Sequence, residues 1–103
     1  MNIEQITSWI FLATALASQT EPTNINEISM VADGINHAVP TQKELQTSIA
    51  WLMNHDFIKK SGNKFQLTEK GKFEYERASL GTKTLFKIRE NLELEMKNMT
   101  NKK

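Results

Sequence analysis

The order of local signals between Asn24 and Gly71 constrains the fold of this chain more than any other feature. A capped helix, a turn, a second capped helix, two β-prone runs around a glycine and a helix start follow one another without interruption. Asn24 and Glu27 have the spacing of a capping box, which predicts that the first of these helices begins there. Thr41 and Glu44 repeat that spacing at the second helix. The order predicts a mainly α-helical fold with one small β-hairpin.

The helix that begins at Thr41 has one apolar and one polar face. Four apolar side chains fall on one side at 100° per residue and have to be buried: Leu45, Ile49, Leu52 and Met53. The opposite face, which includes Ala50, carries side chains that offer the donors and acceptors base edges require; glutamine suits adenine, and lysine suits guanine or phosphate. An ordinary solvated helix face is the alternative, and this helix alone does not decide between the two. The candidate DNA contacts on it are Thr41, Gln42, Lys43, Gln46, Thr47 and Asn54.

Two short β-prone runs, residues 57–60 and 64–67, flank the sequence Ser-Gly-Asn. They predict a hairpin in which Gly62 supplies a positive φ. Positive charge and one neutral donor are concentrated near its tip, where a phosphate backbone could be met, at Lys59, Lys60, Asn63 and Lys64. Lysines also protect an exposed strand edge from pairing with another chain, so this cluster has a purely structural explanation as well.

From about Ile3 to Arg77 the sequence resembles the winged helix-turn-helix transcription regulators of bacteria and archaea, broadly the MarR-like and PadR-like assemblage. The resemblance is carried by the spacing of Leu45, Ile49 and Leu52, then Asp56-Phe57-Ile58, and then Phe65-x-Leu67-Thr68-x-x-Gly71. It implies a winged-helix domain over residues 1–80, with double-stranded DNA as partner and a recognition helix in the major groove. Two positions depart from those families: Asp56 stands where a glycine commonly ends the recognition helix, and the wing has no arginine for the minor groove.

The chain after the hairpin is predicted to form two more helices. Thr68 can cap the first of them, Gly81 marks a break, and Thr82 can start the last helix. Residues 81–103 are thus interpreted as a C-terminal amphipathic helix and a basic tail that belong to the same domain. One apolar stripe follows this helix: Leu85, Ile88, Leu92, Met96 and Met99.

The first helix is apolar around so much of its circumference that it has to be buried from two sides. One side can face the domain core, and the other needs a partner. The stripe of the last helix either packs on the first helix of its own domain or pairs with the first and last helices of a second subunit. The second arrangement predicts N- and C-terminal dimerisation helices and a homodimer with this interface: Ile6, Trp9, Ile10, Ala13, Leu85, Ile88, Leu92 and Met96.

Charge is unevenly distributed along the 103 residues, although the net charge is only +1. Residues 1–40 contain no lysine or arginine and carry −4, residues 41–72 carry +3, and the remainder carries +2. The basic charge begins where the proposed recognition helix begins. The chain has the size of one domain, and because it has no cysteine, neither a disulfide framework nor a thiolate metal site can form.

Enzymatic activity is not expected. His37 and His55 have no carboxylate at metal-ligand spacing on the same face, and neither a phosphate-binding glycine loop nor a nucleophile motif is present. No metal or cofactor is therefore predicted. The apolar run at residues 9–17 follows a segment without positive charge, which disfavours a secretion signal, and it is too short to span a bilayer.

The sequence thus predicts a cytoplasmic, homodimeric DNA-binding protein that regulates transcription. The alternative is a winged-helix module that binds proteins and has lost DNA binding, since the outer face of the recognition helix has one lysine and no arginine. The operator, a small-molecule effector and the direction of regulation are not given by the sequence.

Overall fold

The computed structural model describes residues 2–101, which form five helices and one two-stranded hairpin. The elements are α1 (Ile3–Ala17), α2 (Ile25–Asn36), α3 (Gln42–Asn54), β1 (Ile58–Ser61), β2 (Lys64–Leu67), α4 (Glu69–Ser79) and α5 (Leu85–Asn101). The mainly helical fold with a small antiparallel hairpin is confirmed. Within the described part of the chain, no helix has the length and apolarity needed to cross a membrane.

Capping boxes fix the starts of α2 and α3 where the sequence predicts them. The Thr41 hydroxyl accepts from the Glu44 N–H at 3.0 Å, and the Glu44 carboxylate accepts from the Thr41 N–H at 2.9 Å. Asn24 and Glu27 make the same reciprocal pair at the start of α2. Each box satisfies two backbone donors that the helix itself leaves without a partner. The helix starts are therefore set by residues only three positions apart.

The hairpin has a two-residue turn and a regular register from Ile58 opposite Leu67 to Ser61 opposite Lys64. Gly62 opens the turn with φ 63°, the conformation for which glycine is favoured in such tight turns. The segment before α2 joins the hairpin at one point, where Thr23 and Phe65 exchange two backbone hydrogen bonds of 2.8 and 2.7 Å. This bridge attaches the beginning of α2 to the second strand.

The junction between α3 and the hairpin explains the Thr-x-x-Gly spacing that follows the hairpin. Asp56 adopts the left-handed conformation with φ 63°, so an aspartate does here what glycine does more easily. The Thr68 hydroxyl donates to the Asp56 carbonyl and accepts from the Gly71 N–H at 3.0 Å. A Cβ on Gly71 would lie 2.0 Å from the Phe57 carbonyl oxygen. Glycine is therefore required because α4 approaches the backbone of the junction.

Helix α1 lies at the centre of the core. Its residues are buried without a break from Thr7 to Ala15, and the helix packs against α2, α3 and α5. The Trp9 indole N–H donates to the Ala32 carbonyl of α2 at 2.8 Å. The Phe11 ring meets Phe57 edge-on with centroids 5.2 Å apart. Both sides of α1 are thus covered, from Thr7 to Ala15, by helices of the same chain.

The reason given above for a dimer interface on α1 and α5 is therefore wrong. Six of the eight residues named for it are buried inside one chain: Trp9, Ile10, Ala13, Ile88, Leu92 and Met96. Ile6 is half-buried, and Leu85 remains 40% exposed. The alternative prediction holds, in which the stripe of the last helix packs on the first helix of its own domain. The homodimer itself stays a prediction. Its contact surface cannot consist mainly of these side chains, because most of them are already buried.

A polar contact also attaches α5 to α1. The buried Arg89 guanidinium donates to Ser8 of α1 at 3.3 Å and to Glu93 on the next turn of α5 at 3.0 Å. Burial raises the pKa of Glu93, but hydrogen bonds from Lys97 and Arg89 oppose it and hold the pKa below its ordinary value. The charged groups of Arg89 and Glu93 are therefore paired with each other where burial removes them from water.

The last helix begins three residues later than the sequence predicts. Gly81 has φ 75° and breaks the chain after α4, as expected. Thr84, rather than Thr82, lies at the start of α5, since its hydroxyl accepts from the Lys87 N–H at 3.3 Å. Helix α5 continues to Asn101 and so includes most of the chain end interpreted above as a basic tail. Lys102 and Lys103 lie outside the described residues.

Candidate nucleic-acid interface

The exposed face of α3 is a continuous arc of about 140° at 100° per residue. It consists of Gln42, Lys43, Gln46, Thr47, Ala50, Met53 and Asn54, all exposed to solvent. The opposite side is buried and consists of Leu45, Ser48, Ile49 and Leu52. The prediction that Met53 belongs to the core is wrong, because its side chain is 39% exposed at the edge of the arc beside Gln46.

The start of α3 brings one positive charge to this arc and holds the neighbouring carboxylate away from it. Lys43 is the sole charged residue among the exposed side chains of α3. Glu44 is only half-exposed, and its carboxylate accepts from the Thr41 N–H. The Thr41 hydroxyl oxygen is likewise engaged with the Glu44 N–H, so Thr41 serves first as a cap. The exposed arc therefore carries no negative charge.

The hairpin separates the lysines that the sequence placed in one cluster. Residues directly opposite each other in an antiparallel pair point to the same face. Lys59 pairs with Gln66 and Lys64 with Ser61, so both lysines lie on the face that points away from the core. Lys60 pairs with Phe65 on the other face, and its Nζ lies 5.8 Å from the centroid of that ring. All three are exposed, as is Asn63 in the turn.

Lys64 is electrostatically coupled to the capping box of α2. The hydrogen bond from the Thr23 hydroxyl lowers the pKa of Glu27 most, and the Asn24 N–H and the positive charge of Lys64 lower it further. Burial opposes these effects and raises the pKa by more than the charge of Lys64 lowers it. The charge of Lys64 thus already faces one carboxylate. Lys59, on the same face of the hairpin, makes no ion pair with any described carboxylate.

The end of α3 is closed by groups that the sequence did not reveal. Lys70 of α4 donates to the His55 carbonyl at 3.0 Å, a favourable place for a cation because helix carbonyls end there. The His55 ring stacks on Trp51 with centroids 3.9 Å apart, and Trp51 meets Phe57 edge-on at 5.8 Å. One face of the indole is therefore already covered. The one available signal for this arrangement is the spacing of Trp51 and His55 by one helical turn.

Two other surface features contrast with the α3 arc. An open groove of about 860 Å³ lies between the loop after α1, strand β2 and α4. Glu21, Glu69 and Glu76 line it together with a single lysine, so its charge does not favour a phosphate backbone. The second feature is a set of exposed apolar side chains near α5, of which the predicted interface included only Leu85: Leu80, Leu85, Phe86 and Leu94.

Within the described residues, no group of three or more histidine, cysteine, aspartate or glutamate side chains is arranged to hold a metal ion. Comparison of the chain with protein-family models, with curated proteins and with solved structures gives no match. The geometry and charge of these surfaces are therefore the observations that bear on function.

Proposed function

We propose that this protein is a cytoplasmic winged helix-turn-helix regulator of transcription that binds double-stranded DNA. In this proposal α3 is the recognition helix and the β1–β2 hairpin is the wing. One observation supports it most: the exposed side chains of α3 and the hairpin include four lysines and no carboxylate. Residues 1–40, by contrast, carry four acidic residues and no lysine or arginine. A polyanion would therefore meet more favourable charge at α3 and the hairpin than at residues 1–40.

The dimensions and chemistry of α3 suit the proposed role. A helix fits into the major groove, where side-chain amides and hydroxyls contact base edges. Gln46, Thr47 and Asn54 supply such groups on the exposed arc. Lys59 and Lys64 share one face of the hairpin and would neutralise phosphates beside the groove. Contacts to bases and contacts to the backbone are thus assigned to different elements.

The test is a binding titration on a random-sequence duplex at several salt concentrations, followed by fluorescence anisotropy. Each phosphate contact adds about 0.9 to the slope of log K against log salt, so a slope of several units is expected for the native protein. Replacing Lys59 and Lys64 by alanine should lower the slope by roughly two units per subunit, since two contacts are lost. Lys87→Ala is the matched control, because Lys87 is an exposed lysine of α5 remote in sequence from both elements. A native slope near zero contradicts the proposal.

A protein-interaction module without DNA binding is the second candidate. The exposed apolar side chains Leu80, Phe86 and Leu94, which are 75%, 66% and 59% accessible, favour it. A contiguous exposed apolar patch marks an interaction site, and side chains as accessible as these could contribute to one. A flat salt slope, together with retention of the fold, would make this candidate the better one.

The homodimer is proposed with a revised contact surface. Since the predicted interface residues are largely buried, a second subunit would contact the exposed apolar side chains of α5 and the segment before it. Phe86→Glu with Leu94→Glu should give a folded monomer, detected by light scattering and circular dichroism. Met30→Glu changes an exposed methionine of α2 and serves as the control. A native protein that is monomeric at tens of micromolar would contradict the dimer.

A further inference from the structure

We propose that the exposed arc of α3 selects A·T base pairs, with thymine methyl groups packed against Ala50 and Met53 and adenine edges bound by Gln46 or Asn54. This inference depends on the proposed DNA-binding function and specifies which bases it favours. It arises from the one residue of the helix whose placement differs from the sequence prediction. Met53 is 39% exposed at the edge of the arc instead of buried in the core.

The four side chains form one continuous surface. Ala50 is four residues after Gln46 and four before Asn54, and Met53 is three residues after Ala50. Residues three and four apart on a helix are surface neighbours. All four side chains are exposed. Two amides therefore flank an apolar strip made of the alanine methyl and the methionine thioether.

This combination matches the major-groove edge of an A·T pair. Adenine presents an acceptor and a donor that a side-chain amide binds with two hydrogen bonds, and thymine presents its C5 methyl to apolar groups. Gln46 and Asn54 carry such amides, while Ala50 and Met53 carry the apolar surface. Each base of the A·T pair thus has a chemically suited partner on the arc.

A G·C pair finds fewer suitable partners on the same arc. Guanine is contacted best by arginine or lysine, and α3 has no arginine and only Lys43, at its first turn. Cytosine presents an amino donor that suits a carboxylate, and the exposed arc carries none. The choice of bases follows from both the groups present and the groups absent on this fully described helix.

The experiment has two steps. A pool of duplexes with a random 20-base-pair core is first selected on the native protein at low salt. Uracil is then substituted for thymine in the selected duplex, which removes the methyl group and leaves the hydrogen-bonding edge intact. Burial of one methyl-sized group corresponds to about a fourfold change in affinity, so each contacted thymine should lose about fourfold on substitution.

Variants assign the methyl contact to residues. Met53→Gln keeps the length of the side chain and removes its apolar surface, and it should bring the uracil penalty at the contacted thymine close to onefold. Met30→Gln is the matched control, because Met30 is exposed on α2 outside the arc, and the penalty should persist. Gln46→Ala should relax the preference for adenine in a repeated selection. Far-UV circular dichroism checks that each variant is folded. If a variant does not fold, the uracil comparison on the native protein still tests whether thymine methyl groups are contacted.

The outcomes separate the inference from the function on which it depends. Failure of every duplex in the pool to bind overturns both. Selection of a G·C-rich core, or an A·T-rich core whose affinity is unchanged by uracil, overturns the inference and leaves DNA binding standing. An A·T-rich core with a thymine penalty that Met53→Gln abolishes supports it.

Discussion

Helices α1 and α3 are similar in length and opposite in use. The 15 residues of α1 include an unbroken buried run from Thr7 to Ala15, whereas the 13 residues of α3 bury only Leu45, Ser48, Ile49 and Leu52. Helix α1 can be apolar around most of its circumference because α2, α3 and α5 pack against it, whereas α3 keeps one polar side that no described element covers. A helix without a polar face therefore does not require a second subunit to bury it. The half-covered helix α3 is the one that leaves a face free to contact a partner.

Substitution in the buried helix α1 should have the greatest effect on stability. Phe11 has no exposed surface and contacts Phe57, so Phe11→Ala should destabilise the fold by about 3–5 kcal/mol. Gln46→Ala on the exposed arc of α3 should change stability by less than about 0.5 kcal/mol. Both values come from urea denaturation followed by circular dichroism. Similar losses in the free energy of unfolding for the two variants would contradict this difference between a buried and a half-covered helix.

A second pair of substitutions tests the junction where α3 gives way to the hairpin. Gly71→Ala should cost about 1–3 kcal/mol, because its Cβ would meet the Phe57 carbonyl and the backbone has to shift. Gly34→Ala is the matched control inside α2, where a Cβ meets nothing within 4 Å. It should stabilise by about 0.5–1 kcal/mol through helix propensity. A neutral Gly71→Ala, measured by the same denaturation, would contradict the close approach.

Features fixed by neighbouring residues were predictable from the sequence. The caps at Asn24 and Thr41 and the Gly62 turn depend on groups two or three positions apart, and the structure places them as expected. Periodicity also identified the polar face of α3. These signals are local, so no knowledge of the tertiary arrangement is needed to use them.

Features fixed by distant contacts were not predictable. Periodicity shows that Ile88 and Leu92 share a face, but it does not show that α1 of the same chain covers them. Periodicity assigns Met53 to the apolar stripe of α3, and only the packing of α3 decides that it lies 39% exposed at the edge of the polar arc. Likewise, three lysines close in sequence divide between two faces of the hairpin, because the strand register sets where Lys60 points.

A smaller effect concerns the link between α2 and the hairpin. The pKa of Glu27 is below its ordinary value, chiefly because the Thr23 hydroxyl donates to its carboxylate at 2.8 Å. The stabilisation that the ionised Glu27 carboxylate contributes is therefore fully present above the ordinary glutamate pKa of about 4.3. It is lost as the pH falls through the lowered pKa of the folded state. An NMR titration of the carboxyl group should show this, and Thr23→Val should move the pKa upward. A Glu27 that titrates at or above the ordinary value would contradict the contact.

The most direct test of the central claim is to map the DNA contact residue by residue with an amide NMR titration of the labelled protein against the random-sequence duplex. The account predicts that shift changes concentrate on the exposed arc of α3 and on the hairpin, with Gln46, Asn54 and Lys59 among the most affected. The buried amides of α1 should change little. Absence of any change, or changes confined to Leu80, Phe86 and Leu94, would contradict DNA binding through α3 and favour the protein-interaction module.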